Sequence, residues 1–418
     1  MKRPRIVIIG AGFGGIYAAL ALAKRARRGD IDVTIVNRTN YFLFTPLLHE
    51  VATGGLTPTS VTEPLREIFA GSGIRIRQGE VVSIDPAAKV VRLGDGELRY
   101  DRAVIATGAV SNDYGIPGAA EHALPLKTLS DAILIRERVI DAFERATTER
   151  DEEVRKGLLS FAVVGGGATG VETAGELADF AADIERRYHR TPADGGFRSA
   201  LSVSLLSADP ALLMIFPPFL RKAAAERLRR NGIDVRLNTA AASVEADGVR
   251  FKDGSVIRAG TVIWAAGVKP RPPKFIGFTP ELVGGRLCVD RSFRMPGADG
   301  LYALGDAAAF IDDRSGKPLP MSAQAAVASA VAAARNVLAD LDGQPTRVFR
   351  FRSKGSLVSV GQWFAVGEIF FAPLRGRFAW WIWRTVYLFK FVSWKKRLRV
   401  AFEWTVNLVY PRDVTKLT

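Results

Sequence analysis

Two glycine-rich turns, 155 residues apart, constrain this chain more than any other feature. The first reads Gly10-Ala11-Gly12-Phe13-Gly14-Gly15 and the second Gly165-Gly166-Gly167-Ala168-Thr169-Gly170. Each follows a short apolar run, residues 6–9 and 161–164, and opens a helix-like stretch. G-x-G-x-x-G between a strand and a helix is the pattern of a dinucleotide site. Gly10 and Gly165 are expected to make the tight turn. Gly12 and Gly167 let a pyrophosphate approach the backbone, and Gly15 and Gly170 let helix pack on strand. The phosphates then sit on free N–H groups at a helix N-terminus, where the dipole favours negative charge. One such turn can arise by chance, whereas two in the same context predict two nucleotides. A chain with two nucleotide sites moves electrons between two cofactors, so flavin plus nicotinamide is the starting expectation.

A length of 418 residues suits two or three domains with ample core. The single cysteine, Cys288, excludes a disulfide framework, a Cys-rich zinc site and a redox dithiol. Flavoproteins that relay electrons through a cysteine pair are thereby removed. Cys288 sits in an apolar Leu-Cys-Val run and is expected to be a buried small hydrophobe. His49, His122 and His189 are scattered, so no metal site is expected. The Met-Lys-Arg start followed by an apolar run resembles a signal peptide. The glycine fingerprint interrupts that run, so it reads as the first strand and helix of the mature fold, of cytosolic origin.

The order of apolar runs predicts an α/β chain with two Rossmann-like domains and a C-terminal helical module. Residues 31–36 and 100–107 continue the first sheet. Residues 128–155 read as a charged surface linker helix. The second plan repeats the first: strand 161–164, helix 170–187, strand 201–206, helix 218–230 and strand 261–266. Ala-Ala-Gly at 265–267 echoes Ala-Thr-Gly at 106–108. Residues 301–305 form a further strand and 323–338 an alanine-rich helix. The expected domains are therefore 1–120 with 275–345, then 155–270, then 346–418. Residues 191–196 (Thr-Pro-Ala-Asp-Gly-Gly) read as a surface loop.

The end of the second strand of a Rossmann unit often carries an acid for the ribose hydroxyls. Here Asn37-Arg38 stands there in the first unit and Ser207 in the second. Asn37 can still bond a hydroxyl, and Arg38 can stack on or pair near adenosine. Without a carboxylate at 207 a 2′-phosphate is not repelled, yet no arginine stands beside it. NADH is the expected donor, with NADPH admitted. Glu172 and Glu176 follow the second turn on one helix. Either they answer the helix dipole, or Glu172 faces the nicotinamide–flavin junction. Asp306, after a strand, suits a flavin diphosphate or ribityl chain, or an N-cap. Gln324 opens a helix of small residues that can approach a flat ring. A plain helix contact explains it equally well.

The net charge is +15, and it is uneven. Residues 350–418 hold 13 Lys/Arg against three acids, and six of the seven tryptophans. Residues 378–394 are apolar but interrupted by Arg384 and Lys390, too broken to span a bilayer. Arg377, Arg384 and Lys395 share one face of an ideal helix. Trp-rich flanks then fit a helix lying in the membrane interface on an anionic lipid surface. A packed helix pair or a dimer contact is the plainer alternative. A nucleic-acid surface ranks last, because the aromatics cluster with aliphatics.

Taken together, these segments resemble the type II NADH dehydrogenases, single-subunit, non-proton-pumping NADH:quinone oxidoreductases. The resemblance rests on Asn40-Tyr41, Phe44-Thr45-Pro46-Leu47-Leu48 to Val51-Ala52-Thr53-Gly54, and Val104 to Gly108. It continues through Gly115 to Gly118, Gly165 through Glu172 to Glu176, and Val262 to Val268. Leu301 to Asp306, Ala323-Gln324 and Gly355-Ser356-Leu357 complete it. It implies FAD held by the first turn, including Phe13 and Gly14, with Asn37, Arg38, Thr45, Pro46 and Val81. Ala106, Thr107, Gly108, Asp306, Ala323 and Gln324 would complete that site. NADH would lie on the second turn, including Ala168 and Thr169, with Glu172, Ser207, Ala266 and Gly267. Glu172 and Gln324 would be the catalytic residues, and Gln324, Ala325 and Leu388 would meet the quinone. The resemblance further implies a homodimer, peripheral on the cytoplasmic face of the cell membrane, serving a respiratory chain. The family's quinone-side motif is Ala-Gln-x-Ala-x-Gln, but Ala328 replaces its second glutamine. Phe42 stands where a histidine is common, Ser207 where an NADH-binding acid is usual, and Asn37 where a flavin-ribose acid is. The rival readings are an NAD(P)H-dependent reductase of a soluble electron carrier and a non-enzymatic nicotinamide sensor.

Overall fold

The computed structural model of the chain describes residues 3–188 and 200–416. His189 and the loop expected at residues 191–196 lie outside them. The described chain gathers into two compact units. One comprises Met1–Leu43, Thr62–Val110 and Val268–Ser353, the other Phe44–Val61, Ser111–Gly267 and Lys354–Thr418. The C-terminal segment, expected as a module of its own, thus groups with the second unit.

The first unit is built on five parallel strands in the order Leu301–Ala303, Arg102–Ile105, Arg5–Ile9, Asp32–Asn37, Ile74–Gln78. Both faces of such a sheet must be covered, which is why its strands read as continuous Val/Ile runs. One cover is a three-stranded antiparallel meander, Val81–Asp85, Val90–Leu93 and Gly96–Arg99. Ile84, Val91 and Leu93 pack there with Val7, Ile9 and Ile105. The Phe13–Arg28 helix packs against the alanine-rich Ala323–Leu341 helix, as small side chains allow.

The second unit repeats this architecture. Its strand order is Ala123–Pro125, Thr261–Trp264, Ser160–Val164, Ser202–Leu206, Ile233–Arg236, all parallel. A meander of Ala241–Glu245, Gly248–Phe251 and Val256–Arg258 covers one face. The outer strand beside the Ala-Ala-Gly strand comes from earlier in the chain, whereas in the first unit it comes from much later. In each unit the first glycine turn therefore follows the middle strand of the sheet.

Three expectations are corrected. Residues 128–155 are not a surface linker. They form two helices, Leu129–Thr148 and Glu152–Leu158, and Ile135, Val139, Ile140 and Phe143 of the first are fully buried. Its many charges masked a complete apolar stripe. Cys288 is half-buried at the end of a short strand rather than part of the core. The basic face imagined across residues 377–395 does not exist, because the helix stops at Phe389 and another, Trp394–Val409, begins. Lys395 therefore belongs to a different helix from Arg377 and Arg384.

Candidate active site

In the first unit the backbone at Gly10 has φ +99°, a conformation open to glycine. A Cβ at Gly15 would lie 1.8 Å from the Gly10 carbonyl oxygen, so only hydrogen fits there. A Cβ at Gly12 would meet nothing within 4 Å. Gly12 also begins the Phe13–Arg28 helix with no side-chain cap and no acid in the first turn. The helix therefore starts without a side-chain cap beside open space at Gly12, which suits a pyrophosphate. Asn37 is committed to the turn itself: its Oδ1 accepts from Ala11 N at 3.0 Å, and its Nδ2 donates to Thr39 O and Oγ1. Arg38 beside it is exposed. Around the turn, Phe13 meets Phe42 edge-on at 5.0 Å, and the Thr107 hydroxyl is buried with no hydrogen-bond partner among the described residues. Gly108 follows it, and Val81 is half-buried in the meander. Asp306 sits in the Gly305–Ala307 turn. Ser322 caps the Ala323–Leu341 helix, which Gln324 and Ala325 open; Gln324 is half-buried and Ala325 buried. Thr45 and Pro46 belong to the Thr45–Leu47 turn of the second unit.

The second turn repeats the first at its key glycines. Gly165 has φ +131°, and a Cβ at Gly170 would lie 1.8 Å from the Gly165 carbonyl oxygen. A Cβ at Gly167 again meets nothing within 4 Å. Ala168 and Thr169 start the helix, and Ala266 and Gly267 follow the neighbouring strand beside exposed Tyr114. Ser207 is only 1% exposed, and its Oγ accepts from Asp209 N at 3.2 Å. It would lie 2.3 Å from a Cβ on Gly166, so the serine is packed beneath the turn rather than held out beside it.

The helix from the second turn carries a buried charged cluster. Glu172 is 6% exposed, and its Oε1 accepts from Ser359 N at 3.2 Å. Burial pushes its carboxyl up to about 8, against the pull of the Ser359 N–H donor. His49 Nδ1 lies 3.9 Å from Glu172 Oε2. Burial drags His49 down to about 4, so this imidazole is neutral. Glu50, next in the Leu48–Ala52 helix, is 4% exposed and accepts from Trp404 Nε1 at 2.6 Å. Burial first, and the Glu176 charge second, push it up to about 7. Glu176 itself is bonded by Arg412 at 2.6 Å, and Arg412 also lies 3.8 Å from Asp183. The cluster thus separates into an ion-paired part around Arg412 and a part around Glu172 and Glu50 whose carboxyls hold their protons well above the ordinary range. Sequence reasoning singled out Glu172 and missed His49, Glu50, Trp404 and Arg412. The available signal was a His-Glu pair inside the apolar run of residues 47–52.

The C-terminal helices divide their aromatics between two sides. Trp380, Trp383 and Trp404 are buried, whereas Phe378, Trp381, Phe389, Trp394, Leu398 and Phe402 are exposed. Arg384 is turned inward, its guanidinium 3.9 Å from the Trp380 ring centre and 4.9 Å from that of Trp404. Leu388 is half-buried near the end of the first of these helices. Among the described residues no helix is long and apolar enough to cross a membrane.

Residues 4–330 match the family model of pyridine nucleotide-disulphide oxidoreductases, and residues 353–413 that of the NDH2 C-terminal domain. The chain is 32% identical to the type II NADH:quinone oxidoreductase Ndh of Mycobacterium tuberculosis, over 98% of this chain and 89% of that protein. It is equally 32% identical to a probable NADH dehydrogenase of Dictyostelium discoideum, over 99% of this chain and 92% of that protein. Its fold matches NDH2 of Plasmodium falciparum, solved in complex with NADH, with TM-score 0.89 and 24% identity over 99% of this chain and 100% of that one. With two glycine turns of matching geometry and the similarity running the length of the chain, the protein belongs to the pyridine nucleotide-disulphide oxidoreductases and, among them, to the type II NADH:quinone oxidoreductase family.

Proposed function

We propose that the first glycine turn holds FAD, that the second holds NADH, and that Glu172 and Gln324 serve the reaction between them. The chain is an FAD-dependent NADH:quinone oxidoreductase. The observation that carries the assignment of the turns is their shared geometry: a helix start with no acid in its first turn, open space at Gly12 and Gly167, and a last glycine, Gly15 or Gly170, where no Cβ fits. FAD, when bound, supplies the chemistry, taking a hydride from NADH and passing two electrons to the quinone.

The residues of the chain position and tune. The N–H groups after Gly12 and Gly167 hold pyrophosphates. Thr107 and Asp306 are assigned to the flavin, with Thr107 finding in it the partner its buried hydroxyl lacks. Glu172, neutral at rest, presents a proton rather than a charge beside the nicotinamide. Gln324 is assigned to a quinone carbonyl, and Ala325 and Leu388 are assigned to the quinone as well. Asn37 supports the flavin turn from behind instead of reaching a ribose. Ser207 acts likewise at the second turn, so neither NADH nor NADPH meets a carboxylate at that position.

The exposed apolar residues support peripheral attachment to a lipid surface at the cytoplasmic face. Trp394, Leu398 and Phe402 recur at four-residue spacing on one face of their helix. A homodimer contact on this same unit is the second role assigned to it.

Purified, FAD-loaded protein should oxidise NADH in the presence of a short-chain quinone, and Gln324→Ala should raise KM for quinone. The double change Leu398→Glu and Phe402→Glu should abolish co-sedimentation with anionic vesicles while soluble quinone is still reduced. Flavin reduction without quinone turnover would sink the assignment in favour of a soluble-carrier reductase.

A further inference from the structure

Quinone reduction by NADH consumes a proton from water. NADH gives a hydride, the quinone takes two electrons and two protons, and the hydride accounts for only one of those protons. The second must reach the acceptor through the protein or from solvent. Glu172 alone can give one proton and must then be recharged from a buried position.

Within the second unit, the groups around Glu172 separate sharply by charge state. Glu176 and Asp183 are answered by Arg412. Asp179 accepts from Gln362 N at 2.8 Å. Arg136 on the neighbouring Leu129–Thr148 helix is engaged with Glu137 at 2.9 Å. Of these groups, Glu50 and Glu172 are buried and have no Arg or Lys salt bridge among the described residues; Asp179 has none either, but it is only half-buried. Arg384 is the cation nearest in effect to Glu50, but its guanidinium lies over two indole rings. Two such carboxyls that feel each other cannot both ionise at little cost. His49 stands 3.9 Å from Glu172, buried, uncharged, and with its Nε2 lacking a hydrogen-bond partner among the described residues.

We propose that Glu50 is a second proton-holding carboxyl of the reaction, recharging Glu172 past the neutral ring of His49. The O–H bond of Glu172 breaks as its proton passes to the reduced quinone. The O–H bond of Glu50 then breaks to restore that of Glu172, and Glu50 takes a proton from water. The net is one solvent proton per quinone, and no electrons move in these steps. Trp404 is a positioning residue: its indole N–H, 2.6 Å from Glu50 Oε2, orients the carboxyl and favours its ionised form. This inference rests on the quinone-reductase reading above.

The test uses FAD-loaded protein, a short-chain quinone and two variants. Glu50→Gln keeps an acceptor for Trp404 and removes the proton. Its resting infrared spectrum should lose a protonated-carboxyl C=O band that the wild type shows at neutral pH. Anaerobic reduction of the flavin by NADH should keep its rate, while the quinone step slows about 10-fold, the low side of what general acids contribute. Trp404→Phe retains Glu50 but removes the donor that favours its ionised form, so the alkaline fall of the quinone-step rate should move to higher pH. An unchanged carboxyl band in Glu50→Gln, or an unchanged quinone step with the alkaline limb of Trp404→Phe also unmoved, overturns the proposal. Failure of wild-type protein to reduce quinone would instead strike the parent reading, and the infrared band would still decide whether Glu50 carries a proton.

Discussion

Glu172 offers a quantitative test of the buried acid cluster, independent of turnover. Burial places its carboxyl at about 8, against an ordinary value of 4.5. A carboxyl whose folded pKa lies above its unfolded one binds its proton more tightly in the folded chain. The stability from that proton is fully present below the unfolded pKa and is lost as pH rises through the folded pKa. The difference of about 3.5 pH units, at about 1.4 kcal/mol each, sets the full loss near ~5 kcal/mol. Roughly 3–4 kcal/mol of this falls between about pH 5 and about pH 8. Glu172→Gln keeps an oxygen for the Ser359 N–H but cannot titrate. Urea unfolding of both FAD-loaded proteins, followed by tryptophan fluorescence across that range, measures the difference. Other titrating groups act on both proteins and largely cancel. The variant should gain on the wild type by roughly 3 kcal/mol from the acid to the alkaline end. A stability difference that does not change with pH would show that Glu172 is ionised in the folded protein, and the neutral-acid account of the site would fall.

Two further outcomes follow from the geometry. Gly15→Ala should cost the protein its FAD, whereas Gly170→Ala should keep the flavin absorbance and lose NADH binding in titration, since each Cβ would lie 1.8 Å from a carbonyl oxygen. A Gly170→Ala protein that binds NADH normally would refute the assignment of the second turn. Arg412→Ala leaves Glu176 buried without its cation, and should lower unfolding stability by about 3–5 kcal/mol. A loss of less than about 1 kcal/mol would mean that water replaces the guanidinium readily.

The glycine spacing made both nucleotide folds legible, because a strand–turn–helix that cradles a phosphate is a local object. Everything it needs lies within about a dozen residues. The same holds for the strands of the two parallel sheets, which announce themselves as runs of Val and Ile buried on both faces. The Leu129–Thr148 helix was misread for a related reason. Its charge count is high, but its apolar residues fall at helical spacing on one stripe, and a total of charges ignores their phase. The C-terminal helix break was hidden because no proline or glycine marks residues 390–393. Packing ends the helix there, with Phe391 buried and stacked on Phe44 at 4.2 Å.

By itself, the sequence determined the two glycine turns, the repeated sheet plan and the family, all of them carried by short contiguous patterns. Only the tertiary structure decided the charge state of the acids. Glu172, Glu176 and Glu50 are the same residue type. Their difference comes from partners far along the chain: Arg412 on Glu176, Trp404 on Glu50, and the Ser359 backbone on Glu172. A carboxyl's proton depends on what surrounds it in space, and a buried acid without a cation keeps that proton where its exposed counterpart would release it.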